Sequence, residues 1–139
     1  MATMLIRLKI KAGAEARYEE IQRDLYEKTH RLEPDVLRYE MWRAEEPGRY
    51  YCILAFPDIN TFLLKHQISD HHEVATPPLM EVIEDESIEW VDPIQGASAL
   101  PPTDPQDLPA DAPQIARTYS EVFQVACPAW WKAMREAAA

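Results

Sequence analysis

The sequence predicts an α+β domain in which strands and helices follow one another in the order β-α-β-β-α-β. Four short runs alternate between apolar and polar residues, which is the pattern of a strand with one buried face. Two segments instead repeat their apolar residues every three or four positions, as a helix does. With 139 residues, of which 47% are hydrophobic, the chain has the size of one globular domain.

The first strand and the first helix follow directly from these periodicities. Residues 4–11, MLIRLKIK, alternate strictly, so one face of this strand is apolar. Gly13 then breaks the pattern. The next apolar residues share one stripe of a helix that ends before Pro34, and they are Ala14, Tyr18, Ile21, Leu25 and Leu32.

Two further strands form a predicted hairpin. Val36–Arg43 alternates, the turn residues 45–48 (Glu-Glu-Pro-Gly) follow, and Tyr50–Phe56 resumes an extended apolar run.

The second helical region begins at Asp58, which is a typical N-cap residue. It breaks at Ser69-Asp70 and continues to about Ile83, and we expect the pair Pro77-Pro78 to bend or interrupt it. Residues 87–91 form the last strand.

This order is typical of ferredoxin-like domains, in which four antiparallel strands carry both helices on one face. The other face of the sheet is partly apolar and would be left in water. A second copy of the chain would cover it most simply. The sequence therefore predicts a homodimer of ferredoxin-like domains, a dimeric α/β barrel.

The composition changes after the last strand. Six prolines occur between Asp92 and Pro113, which favours an extended linker. We therefore divide the chain into a domain at 1–91, a Pro-rich linker at 92–114 and a C-terminal helical extension at 115–139. Trp130 and Trp131 in the extension are expected to dock on their own domain, on the partner subunit or at the mouth of a pocket.

The charge distribution excludes several classes of partner. Residues 1–91 carry 11 Lys and Arg against 18 Asp and Glu, and residues 92–139 carry 3 against 6. Because neither part has a cationic cluster, we expect neither nucleic acid nor an anionic membrane surface as a partner.

The chain shows no apolar run long enough to span a bilayer and no signal peptide. We therefore expect a cytoplasmic location. Cys52 and Cys127 lack the spacing of a metal or redox motif and are interpreted as reduced packing residues.

Three of the four histidines cluster in residues 66–72, HQISDHH. From Tyr51 through His72 the chain resembles the antibiotic biosynthesis monooxygenase family: a strand, a helix opened by Asp, a histidine at its end, and a Ser-x-His-His step. The resemblance covers residues 3–91. It implies a dimeric α/β barrel, a small aromatic substrate and dioxygen as partners, and no cofactor.

The chain departs from the family pattern at two positions. Ala55 and Pro57 stand where many members carry Glu and Trp, so a mechanism through that carboxylate is not predicted. The haem-degrading subgroup uses an Asn in the first strand, and the absence of Asn between Met4 and Lys11 argues against that subgroup.

His66 shares a helical face with Ile59, Phe62 and Leu63, so it should point inward. A neutral imidazole there could orient a phenol or accept its proton. The simpler interpretation is a core or helix-end histidine hydrogen-bonded to backbone. We take His66 and His72 as catalytic candidates. The candidates for substrate binding are Arg7, Trp42, Tyr51, Phe62, His71 and Trp90.

No metal site is predicted. His66, Asp70 and Glu73 could align on one helix, but Asp70 and Glu73 also have the spacing of an N-capping box, which explains both carboxylates without an ion.

The leading hypothesis is a cofactor-independent monooxygenase acting on a phenol, quinol or polyketide-like aromatic compound. The first alternative is a non-oxidative pocket enzyme of the same fold, such as an isomerase, cyclase or lyase. The second is a non-catalytic ligand-binding dimer. A fold alone does not separate these functions.

Overall fold

The computed structural model describes residues 1–94, 96–102 and 106–123. Its elements are β1 (Ala2–Ile10), α1 (Glu15–Leu32), β2 (Arg38–Arg43), β3 (Arg49–Phe56), α2 (Ile59–Thr61), a π-helical turn (Phe62–His66), α3 (Asp70–Val82), β4 (Ile83–Trp90) and α4 (Gln114–Val122). The predicted fold class and the order of the elements are therefore confirmed for the first 91 residues.

The four strands form one antiparallel sheet in the order β2-β3-β1-β4. β1 lies inside the sheet and pairs with β3 on one side and β4 on the other, so that Arg7 lies opposite Tyr51 and Ser87. Gly48 closes the β2–β3 turn with a φ of 74°. A Cβ there would lie 3.0 Å from the carbonyl oxygen of Ile10, so glycine is required at this close approach.

The core lies between the sheet and the helices. Alternate residues of β1 and β3 point to this side and are buried, and they are Met4, Ile6, Leu8, Ile10, Tyr50, Cys52, Leu54 and Phe56. From α1, Tyr18, Ile21 and Leu25 pack against them. Burial raises the pKa of the Cys52 thiol to about 12, which agrees with its predicted packing role; Cys127 lies outside the described residues.

The opposite side of the sheet is called the outer face here. It carries the other set of strand residues, Thr3, Leu5, Arg7 and Lys9 from β1, Arg38, Glu40 and Trp42 from β2, Tyr51, Ile53 and Ala55 from β3, and Asp85, Ser87 and Glu89 from β4. None of the described helices covers Leu5, Tyr51 and Ile53 completely, since all three remain partly exposed.

Two local expectations were wrong. α3 continues through Pro77 and Pro78 without a break. The carbonyl groups that lose their helical donors belong to Glu73, which is partly exposed, and to Val74, which is exposed, so both lie on the water-facing side of α3. The N-cap of α3 is Ser69 rather than Asp70, and no side chain caps it; the expected capping box therefore does not form.

The tail returns to the domain. α4 packs beside the π-helical turn, and its residues Tyr119 and Phe123 contact the core. Of the three docking places expected for the tail, α4 occupies its own domain. Trp130 and Trp131 lie outside the described residues. None of the helices described is both long enough and apolar enough to cross a membrane.

Candidate functional site

His66 is placed by the π-helical turn. Asp58 caps α2 by accepting a hydrogen bond from the Thr61 backbone N–H at 2.7 Å. The helix then widens, and the Gln67 N–H donates to the carbonyl of Phe62, five residues back, at 2.8 Å. π-helical turns are rare and often occur at functional sites. Here the turn ends with the His66 side chain only 1% exposed.

A cavity of about 180 Å³ lies between the sheet and the helices, and we call it the inner cavity. Its polar lining residues are Gln22, Tyr39, His66, Gln67, His72, Thr76, Glu86 and Tyr119. The apolar ones are Ile6, Leu8, Met41, Cys52, Leu54, Leu79, Met80, Ile83, Val122 and Phe123. Both histidines proposed as catalytic candidates from the sequence thus line one cavity.

The two imidazoles of this cavity lie together, with ring centres 4.8 Å apart. Aromatic rings flank His66 as well: Phe56 at 4.8 Å and Tyr39 at 5.1 Å between centres. Burial, followed by the nearby His71, lowers the pKa of His66 to about 3. Burial and the neighbouring histidines His66 and His71 lower the pKa of His72 to about 3. Both rings are therefore neutral at physiological pH.

Glu33 joins two of the histidines. Its Oε2 lies 2.8 Å from Nδ1 of His66, and its Oε1 lies 2.7 Å from Nε2 of His71. Ser69 contacts the same nitrogen of His71 at 3.3 Å and donates to the His66 carbonyl at 2.7 Å. Burial raises the pKa of the Glu33 carboxyl, while His71 and His30 oppose that rise.

Behind Glu33 lies a second hollow of about 420 Å³, which we call the outer pocket. Glu33 and His71 line it together with the charged residues Lys28, Arg31, Asp35, Lys65 and Asp70. His66 and His72 do not line it. Glu33 therefore lies between the inner cavity and the outer pocket.

Gln22 offers a free acceptor at the inner cavity. It is buried on the same stripe of α1 as Tyr18 and Leu25. Its amide oxygen has no hydrogen-bond partner among the described residues. A buried acceptor without a partner is unfavourable, so a ligand hydroxyl group donating to it would be stabilised.

α4 closes one side of the inner cavity. Tyr119, Val122 and Phe123 line it. The Tyr119 hydroxyl donates to Oε1 of Glu73 on α3 at 2.5 Å. The Phe123 ring packs edge-on against Phe62 with centres 4.9 Å apart, and the indole N–H of Trp90 donates to the Phe123 carbonyl.

A family model for antibiotic biosynthesis monooxygenases matches residues 1–77, which is more than half of the chain. The chain belongs to this family. No protein with a curated description matches it.

Solved structures of the antibiotic biosynthesis monooxygenase fold agree with this assignment. One antibiotic biosynthesis monooxygenase is 26% identical, with a TM-score of 0.60, covering 68% of this chain and 99% of its own. A protein from Caulobacter crescentus assigned to these monooxygenases is 23% identical, with a TM-score of 0.62, covering 68% and 90%. One from Bacteroides thetaiotaomicron is 19% identical, with a TM-score of 0.64, covering 71% and 95%. At these identities the last two show the fold alone.

The candidate residues of this monooxygenase-family chain separate into four groups, three of which lie near the inner cavity. His66 and His72 line the inner cavity. Phe62 and Trp90 support it from behind, with ring centres 5.8 Å apart, and neither is among the lining residues. His71 lines the outer pocket instead. Ring contacts link Phe62, His66, His72 and Trp90, and His71 is joined to this cluster through Glu33.

Arg7, Tyr51 and Trp42 are not part of this cluster. They lie side by side across β1, β3 and β2 on the outer face, because side chains alternate between the two faces of a strand. Arg7 pairs with Glu89 at 3.1 Å, and Trp42 is 56% exposed. The structure does not bring these three residues to the inner cavity of their own chain.

The sequence did not indicate Glu33 or Gln22. Glu33 was interpreted only as the residue before Pro34 that ends α1, and nothing local links it to a histidine 33 positions later. Gln22 had a readable signal, since it occupies a position on the apolar stripe of α1 between Tyr18 and Leu25. In the described part of the chain, no three His, Cys, Asp or Glu side chains are grouped so that they could hold a metal ion.

Proposed function

We propose that the protein is a cofactor-independent monooxygenase acting on a phenol or quinol held in the inner cavity. The single observation that carries this proposal is the position of a neutral, buried imidazole, His66, at a largely apolar cavity. Membership of the antibiotic biosynthesis monooxygenase family supports the reaction class. Dioxygen is the second substrate, and the cytoplasmic location remains a prediction.

The size of the cavity favours a substrate with one aromatic ring. A cavity of about 150 Å³ lined by apolar side chains is enough to hold benzene, and the inner cavity has about 180 Å³ with α4 docked. A polyketide-like substrate with fused rings would require α4 to move away.

In the proposed reaction the protein supplies a base, orientation and a dry site. The substrate hydroxyl passes its proton to Nε2 of His66, and the electron-rich ring that results reacts with dioxygen. One oxygen atom enters the ring and the other leaves as water. The four electrons come from the quinol, which becomes a hydroxyquinone, so no external reductant is required. Gln22 accepts a hydrogen bond from the substrate.

We also propose that the active form is a homodimer joined through the outer face. Apolar surface on this face comes from Leu5, Trp42, Tyr51 and Ile53, and Arg7 and Glu89 place opposite charges beside it. In a dimer with two-fold symmetry, this surface of one chain covers the same surface of the other chain. In that dimer, Arg7, Tyr51 and Trp42 would lie in the interface, and a role in substrate binding would be secondary.

The test is oxygen uptake by purified protein with a series of one-ring quinols, followed by mass analysis of the product made under ¹⁸O₂. We expect one labelled atom per product molecule.

His66→Gln should lower kcat/KM by about 100-fold or more, since a positioned base contributes about 10²–10⁴. His30→Gln is the matched control, because His30 is exposed and outside the cavity. Quinol conversion without oxygen uptake would instead indicate the non-oxidative enzyme.

A further inference from the structure

Glu33 is the one carboxylate that contacts two histidines in the described residues. Each of its oxygens contacts one imidazole: Oε2 lies 2.8 Å from His66 Nδ1, and Oε1 lies 2.7 Å from His71 Nε2. The Glu33 side chain is 12% exposed and that of His71 9%. A buried carboxyl group with both oxygens engaged holds its neighbours in fixed orientations.

This contact determines which edge of the His66 ring faces the inner cavity. A neutral imidazole has one N–H and one lone pair. Because Nδ1 faces the carboxyl of Glu33, the proton belongs on Nδ1. Nε2 has no hydrogen-bond partner among the described residues and keeps its lone pair for a ligand. A carboxylate orients the catalytic histidine of serine hydrolases in the same way.

The surroundings of His66 disfavour its protonated, cationic form. Its ring lies among Phe56, Phe62 and Tyr39, where a cation is weakly solvated. Burial depresses its pKa to about 3. A proton accepted at Nε2 is therefore held only if the one on Nδ1 leaves at the same time.

We propose that Glu33 and His71 form a proton outlet that carries the substrate proton from His66 to the outer pocket. This inference rests on the proposed function. Nε2 of His66 takes the hydroxyl proton while its Nδ1 proton passes to Oε2 of Glu33. Glu33 begins as the neutral acid with its proton on Oε1, and this proton moves to the unprotonated Nε2 of a neutral His71. Glu33 ends neutral, His71 ends as an imidazolium, and one proton has moved along the chain.

The outer pocket suits the arriving charge. Asp35 and Asp70 line it and offer negative charge, while Lys28, Arg31 and Lys65 offer positive charge. Asp35 is paired with Lys65 at 2.9 Å. His30 acts on Glu33 at longer range. The proton thus moves from the inner cavity to the outer pocket, where charged groups line the surface.

The first test is the tautomer of His66, read by ¹⁵N NMR of histidine-labelled protein without any ligand. We expect the proton on Nδ1 in the wild type and in Glu33→Gln, whose amide oxygen still accepts it. Glu33→Met removes the acceptor and should move the proton to Nε2. Asp35→Asn, a neighbouring carboxylate that does not touch His66, is the matched control and should change nothing. A wild-type proton on Nε2 overturns the outlet.

The second test separates an outlet from a residue that only orients His66. Glu33→Gln keeps the orientation but its amide does not relay a proton, so kcat with a one-ring quinol should fall at least tenfold with little change in KM. His71→Gln should have the same effect. Glu45→Gln changes an exposed carboxylate outside both the inner cavity and the outer pocket, so it is the control and should leave kcat unchanged. Wild-type turnover in Glu33→Gln overturns the outlet. Absence of oxygen uptake by the wild type defeats the proposed function instead, and the tautomer then decides the outlet.

Discussion

At the scale of single residues, His66 and His72 are held neutral by the same burial that creates the inner cavity. Their pKa values are lowered to about 3, whereas a histidine in an unfolded chain titrates near about 6.5. The unfolded protein therefore binds more protons than the folded one as the pH falls through about 6.5. The sign of this linkage makes acid destabilising.

We predict that the free energy of unfolding falls between pH 7.5 and pH 5.5 by about 1.4 kcal/mol for each of the two histidines. Urea unfolding at fixed protein concentration measures this free energy at each pH. His72→Gln should remove about half of the fall. The raised pKa values of Glu33 and Glu86 have the opposite sign, so the fall is measured with both residues replaced by Gln. A free energy of unfolding that is equal at the two pH values would contradict the neutral state of both rings.

At the scale of elements, α4 determines how large a ligand the inner cavity admits. It contributes Tyr119, Val122 and Phe123 to the lining and is fixed by the Tyr119–Glu73 hydrogen bond and the Phe123–Phe62 contact. With the Trp90–Phe123 hydrogen bond, these few contacts hold a nine-residue helix less firmly than the core strands are held. Opening and closing of α4 is therefore expected on a shorter timescale than unfolding.

We predict that Tyr119→Phe combined with Phe123→Ala loosens α4 and raises turnover of a two-ring quinol relative to a one-ring quinol. The loss of one hydrogen bond and one ring contact should weaken docking by about 2–4 kcal/mol. Faster amide exchange in 114–123 would report the loosening. Thr118→Ala, on the exposed side of α4, is the control. An unchanged preference for ring size despite faster exchange would show that α4 does not restrict the substrate.

The helices and strands differ in how well the sequence predicts them. Strands and α1 follow from periodicity because each buries one face against a neighbour, whatever that neighbour is. The π-helical turn at Phe62–His66 and the continuation of α3 through Pro77 are different. Both depend on which carbonyl groups find another partner, and periodicity does not contain that information.

The candidate site was predictable only in part for a similar reason. His66 and His72 belong to a local cluster and could be picked out by spacing. Glu33 meets His66 only after the chain has folded back on itself, so its role follows from a contact 33 residues apart. Arg7, Tyr51 and Trp42 were chosen as binding candidates by residue type, although the alternation of β1 already places Arg7 on the face opposite to Ile6 and Leu8.

At the scale of the whole molecule, the two faces of the sheet have different roles. The helix side holds the core and the inner cavity, and the outer face holds partly exposed apolar residues next to the Arg7–Glu89 pair. If the outer face joins two chains, the sheet is covered on both sides, as a barrel of two copies requires.

We predict that the protein elutes with twice the 16.0 kDa mass of one chain when measured by light scattering. Ile53→Glu should give the single-chain mass, because it buries a charge in the centre of the outer face. Val74→Glu is the matched control, since Val74 is an apolar residue that is 74% exposed on α3, away from the sheet. A single-chain mass for the wild type, or a dimer that survives Ile53→Glu, would contradict the proposed interface.

The central claim is that an aromatic hydroxyl group lies against the free nitrogen of His66 inside the inner cavity. A crystal structure of the protein with hydroquinone, prepared without oxygen so that the compound is not consumed, tests it most directly. The account predicts the ring between the sheet and α3, with one hydroxyl oxygen at about 2.6–3.2 Å from Nε2 of His66. Hydroquinone bound only on the outer face, or an empty inner cavity at saturating ligand, would contradict it.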